Sequence, residues 1–81
     1  SWEGVDRALF DHLRAVRREL AAQRGVPPYL IFNDATLRDL ARRRPTSLEA
    51  FATAYGVGER KLHDLGPLFV DHIRQWCAEH G

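Results

Sequence analysis

The sequence predicts an all-α protein, a compact bundle of about five short helices. Three observations point there. Apolar residues recur at spacings of three and four, the helical period. No stretch alternates apolar and polar residues as a half-buried strand does. Glycines, prolines and capping residues cut the chain into helix-length pieces with short connections.

The first helix is expected from Asp6 to about Arg24. Leu9, Leu13, Val16 and Leu20 form its apolar stripe, and Phe10 widens it. Gly25 stops it, and Pro27-Pro28 prevents a restart. A second helix starts at Asn33-Asp34, either of which can cap it, and ends before Pro45. Thr46-Ser47-Leu48-Glu49 reads as a capping box, with Thr46 as the cap. The third helix then buries Leu48, Phe51, Ala52 and Tyr55, and Gly56 ends it. A short fourth helix spans about Glu59 to Leu65 and closes at Gly66. Pro67 suits the first turn of a fifth, with Phe69, Ile73, Trp76 and Cys77 on one face. Trp2 either covers an edge of the core or belongs to a leading linker.

At 81 residues and 44% hydrophobic, the chain has the core of one small domain, residues 1–81, with 1–5 expected as linker. Little room remains for an enclosed active site. One cysteine, Cys77, excludes an internal disulfide framework and fits a reducing compartment. No apolar run reaches the roughly 18 residues of a membrane span, and no signal peptide precedes the first helix. The expected location is the cytosol or nucleoid, without membrane contact. With 12 basic and 11 acidic residues the net charge is only +1, so any DNA binding must come from a local patch and be weak.

Two stretches draw attention as binding elements. In Val26-Pro27-Pro28-Tyr29-Leu30-Ile31-Phe32 two prolines stiffen the path, apolar residues anchor it, and Tyr29 is left as a ring on display. In Gly56-Val57-Gly58-Glu59-Arg60-Lys61 a glycine-lined turn opens a helix whose free N–H groups can hold a phosphate beside Arg60 and Lys61. The alternative there is a plain tight turn, and Glu59 opposes an anion. Arg42-Arg43-Arg44, at a helix C-terminus, is either a solvated end that offsets the dipole or an electrostatic rim. Arg14, Arg17 and Arg18 read mainly as a solvated face with Asp11 and Glu19. His72, Cys77 and His80 have no recognised metal spacing, and Cys77 lies on an apolar face, packed rather than reactive. No catalytic, metal or cofactor residues are expected, and the segment is not expected to be an enzyme.

The run from Leu9 to Arg74, through VPPYLIFND, TLRDLA and GVGERKL, resembles the HRDC domain (helicase and RNase D, C-terminal). It looks most like the version in bacterial RecQ helicases. The resemblance implies a bundle of about five helices used as an accessory module beside an ATP- and Mg2+-dependent 3′–5′ DNA helicase core in recombination and repair. It implies binding of single-stranded or junction DNA, as a monomer, with no ATPase or nuclease activity in the module. In that pattern Tyr29 contacts DNA, and the lysine of the GVGxxK turn maps onto Lys61, beside Arg60. Arg24, Arg60 and Lys61 are expected to hold phosphates, with Arg42, Arg43 and Arg44 as outer candidates. Glu59, His63 and Asp64 dilute the basic face, and Pro67 stands where a basic residue is often found. Two alternatives remain. One is a protein-interaction module docking on the helicase core, a neighbouring domain or another repair protein. The other is the equivalent module of an RNase D-like exonuclease, with RNA as ligand.

Overall fold

The computed structural model describes all 81 residues. Four α-helices and one 3-10 turn form the bundle, and there are no strands. Helix α1 spans Arg7–Arg24. Asp6 caps it by accepting from the Leu9 amide at 3.0 Å. Gly25, at φ 65°, closes it in the left-handed conformation that a side chain would strain. Leu9, Phe10, Leu13 and Ala21 are buried along its inner face, while Val16 and Leu20 are half-buried.

Helix α2, Asp34–Arg43, is capped by Asn33, whose side chain accepts from the Thr36 amide at 2.9 Å. Leu37, Leu40 and Ala41 are completely buried. It ends at Arg44 in the left-handed region (φ 50°), just before Pro45, which disfavours the helical conformation of its predecessor. The helix runs antiparallel to α1. Arg17 meets Asp34 at one end, and the Asp6 amide donates to Ala41 O at the other.

The third helix is shorter than the sequence suggested. Helix α3 is one turn, Leu48–Phe51, capped by Ser47 rather than Thr46. Phe51 and Ala54 are buried, but Leu48, Ala52 and Tyr55 are exposed. A buried acid on α2 explains the early end. The Asp39 carboxylate accepts the Tyr55 amide at 2.8 Å, drawing the chain into tight i to i+3 turns instead of another helical turn.

The two C-terminal helices are one. Helix α4 runs unbroken from Glu59 to His80 through Gly66 and Pro67. Leu62, Leu65, Phe69, Ile73 and Trp76 keep helical spacing across the glycine-proline pair, so burial of that stripe outweighs the hydrogen bond lost at Pro67. Gly66 is buried because α3 crosses there. A Cβ on it would lie 2.9 Å from Leu48 Cδ2. The glycine serves close packing, not termination.

Phe32 joins the layers. Its ring packs edge-on to Phe69 at 5.1 Å and to Phe51 at 6.1 Å between centroids. Residues 1–5, expected as a linker, are packed against the bundle. Trp2 meets Phe10 edge-on at 4.7 Å, and Arg42 donates to the carbonyls of Ser1 and Glu3. On the outer side of α1 and α4, His12 Nε2 lies 3.1 Å from His72 Nδ1, and His80 stacks on Trp76 at 3.7 Å. Burial, and then the neighbouring His72, push the His12 imidazole below its ordinary pKa. No helix is long and apolar enough to cross a membrane.

Candidate nucleic-acid interface

The end of α1, the 3-10 turn and the start of α4 meet at one pole of the bundle. After Gly25, the Val26 amide returns to Ala21 O, and Pro27 and Pro28 carry the chain into a 3-10 turn over Pro28–Leu30. Amides of Leu30 and Ile31 close it on the carbonyls of Pro27 and Pro28, each at 3.0 Å. Ile31 and Phe32 bury themselves in the core. Arg17 fixes the next step, donating to Phe32 O at 2.9 Å. Tyr29 is left 66% exposed and Leu30 53% exposed on a turn with both flanks tied down.

Lys61 grips that turn from below. Its Nζ donates to the carbonyls of Leu30 and Ile31 and lies 5.3 Å from the Phe32 ring centroid. The ammonium is therefore a strut between α4 and the aromatic turn, a role that spacing alone did not suggest. Arg24 is engaged as well. Its guanidinium makes two parallel hydrogen bonds to Asp64, at 2.8 and 3.0 Å. Those bonds hold the Asp64 carboxyl below its ordinary value and raise Arg24. Arg60 is exposed without a carboxylate partner, and Glu59 precedes it. Of the expected contacts, Tyr29, Lys61, Arg60 and Arg24 thus come together at this pole, with Arg60 as its one uncommitted cation.

Arg42, Arg43 and Arg44 do not join them. They lie at the C-terminus of α2, beside the start of α1. An 18-residue helix separates the two poles by roughly 27 Å. Arg42 and Arg43 both pair with Asp39 at 2.8 Å, and Arg44 is half-buried in its left-handed cap. Burial pushes Asp39 up, but the Tyr55 amide and the guanidinium groups of Arg43 and Arg42 outweigh it and hold the carboxyl below its ordinary value.

Sequence reasoning missed Asp39, Asp64 and Arg17 as organising residues. Asp39 carries a local signal, since Arg42 and Arg43 follow it at helical spacings of three and four. Asp64 carries none, because its partner lies 40 positions away in the chain.

Residues 6–73 match the family model of the HRDC domain. The chain belongs to the HRDC domain family. The HRDC chain is 40% identical over 69 residues to the ATP-dependent DNA helicase RecQ of Bacillus subtilis, covering 85% of this chain and 12% of that protein. It is 37% identical over 70 residues to the ATP-dependent DNA helicase UvrD2 of Mycobacterium tuberculosis, covering 86% of this chain and 10% of the relative. Among solved structures, HRDC domain 3 of D. radiodurans RecQ superposes with a TM-score of 0.80 at 34% identity, covering 90% of this chain and 93% of that one. The HRDC chain thus spans about an eighth of the RecQ relative and nearly the whole of the isolated domain.

Proposed function

We propose that this HRDC domain is an accessory nucleic-acid-binding module of a RecQ-like ATP-dependent DNA helicase. It binds single-stranded or branched DNA weakly, as a monomer, and tunes which substrates the parent engages in recombination and repair. ATP and Mg2+ belong to the parent's motor. The observation that carries this reading is Tyr29, a two-thirds-exposed ring on a turn braced by two prolines, two core anchors and Lys61. Such a ring suits stacking on an unpaired base, worth about 1–3 kcal/mol. Because Arg24 and Lys61 are committed to protein partners, phosphate attraction rests mainly on Arg60. That supports weak binding.

Fluorescence anisotropy of labelled oligothymidylate tests it. Binding at low salt should weaken steeply as salt rises, and Tyr29→Ala should weaken it further without lowering the melting temperature. Absence of salt-sensitive binding at millimolar protein defeats the proposal.

A second reading has its own support. Leu48, Leu62 and Pro67 line an apolar groove of about 690 Å3 rimmed by Glu59, Arg60, His63 and Asp64. Leu48 is 46% exposed. This groove would suit docking on the helicase core. If DNA binding fails, Leu48→Asp should weaken association with that core.

A further inference from the structure

We propose that His12 and His72 form an acid-sensitive latch that holds the C-terminal turns of α4 on α1. The latch does not rest on the nucleic-acid reading. His12 Nε2 stands 3.1 Å from His72 Nδ1, across 60 positions of chain, so the neutral rings share a hydrogen bond with either one as donor. Trp76, one turn beyond His72, ties the cluster together. Its ring stacks with His12 at 5.5 Å and with His80 at 3.7 Å between centroids. Its indole N–H donates to Asp6 Oδ2 at 3.3 Å. Asp6 is also the cap of α1. The start of α1 and the end of α4 therefore meet through titratable rings.

Such a contact accepts one added proton but not two. With one, a ring nitrogen still accepts from its neighbour. With both rings charged, every ring nitrogen carries a hydrogen, no acceptor remains between them, and two cations face each other at hydrogen-bond distance. The surroundings do not offset that charge. Glu79 lines the cleft with His12, His72, Trp76 and His80, and Glu19 lines the neighbouring one with His72. Neither forms an ion pair with an imidazole. Burial, His72 and His80 together outweigh the pull of Glu79 and hold His12 below its ordinary value. No third ligating side chain converges to make the pair a metal site. In the open form both rings are solvated and take up protons at the ordinary histidine value, about 6.5. Below that pH the open form binds more protons than the closed pair. The latch is therefore complete above it and weakens as pH falls, by up to about tenfold in its opening constant per pH unit. The loss stops once the closed pair takes up its second proton.

Amide hydrogen exchange and ring NMR of the 81-residue chain test it. Terminal turns stripped of their packing do not hold helix, so opening shows as lost protection at Trp76 and Cys77. Their protection factors, each referred to the intrinsic exchange rate at its own pH, should be level above about pH 7. They should fall by up to about tenfold per unit between about pH 6.5 and 5.5. His12→Gln keeps a hydrogen-bonding side chain without the second charge and should abolish that fall. His72→Gln leaves only the burial of His12 and should reduce it. In the wild type the Cε1 protons of His12 and His72 should titrate together in two steps, and in His72→Gln His12 should move toward its ordinary value. If a variant fails to fold, the wild-type ring titrations decide by themselves. Protection at Trp76 and Cys77 that ignores pH, an equal fall in His12→Gln, or independent single-step titration of the two rings each overturns the latch.

Discussion

The two poles of this small bundle use similar residues in opposite ways. At the Tyr29 pole the aromatic ring is free and the cations are occupied. Lys61 supports the turn, and Arg24 is closed on Asp64. At the Arg42 pole a buried acid does the organising. Asp39 gathers Arg42, Arg43 and the Tyr55 amide, while Arg7 and Arg38 lie against the Trp2 ring without a carboxylate partner. Counting basic residues along the chain would have ranked Arg42-Arg43-Arg44 as the strongest patch. The contrast teaches that a cation's partner, more than its presence, decides whether it can serve a phosphate.

The largest expected effect falls on the organised pole. Asp39→Ala removes three hydrogen bonds to a nearly buried carboxylate and leaves the Tyr55 amide and two guanidinium groups unsatisfied. Stability should fall by about 3 kcal/mol. That corresponds to roughly 15 °C in melting temperature for a domain this small. The same carboxylate makes the pole acid-sensitive. Its folded pKa lies below the unfolded value, so its contribution is complete above about pH 4 and is lost as pH falls through the folded value. Asp39→Asn should flatten the acid limb of a stability–pH curve. If melting is unchanged by either variant, Asp39 does not organise that pole.

A smaller effect separates two roles for Lys61. As a strut, its replacement in Lys61→Ala should cost about 1 kcal/mol of stability, because two carbonyls lose a charged donor. DNA affinity should drop through loss of Tyr29's mounting, with little change in the salt slope. A phosphate ligand would instead lower that slope by about one while stability stays put.

The smallest effect has the opposite sign. Asp64→Asn should release Arg24 and tighten DNA binding about two- to fivefold at low salt, with a steeper salt slope. An unchanged or weakened affinity would mean that Arg24 does not reach the strand even when free. The Tyr29 pole would then depend on Arg60 alone.

Much of this was legible in the chain. The all-α class, the limits of α1 and α2, and the division of VPPYLIF into anchors and a displayed ring followed from period, caps and proline chemistry. The errors have physical causes. Gly66-Pro67 read as a break, because local propensity opposes a helix there. Burial of Leu65, Phe69, Val70 and Ile73 on both sides of α3's crossing overrides it. Tyr55 read as core because it falls at helical spacing from Phe51, yet Asp39 ends that helix first.

By itself, then, the sequence determined the elements that local chemistry controls, where caps, turns and apolar period act within a few residues. It also supplied the HRDC likeness that the family match bears out. Only the tertiary structure decided which charges are spent. Arg24 with Asp64, Lys61 with the 3-10 turn, and Tyr55 with Asp39 are pairings across 40, about 30 and 16 positions. Electrostatic partnership depends on distance in space, and packing sets that distance.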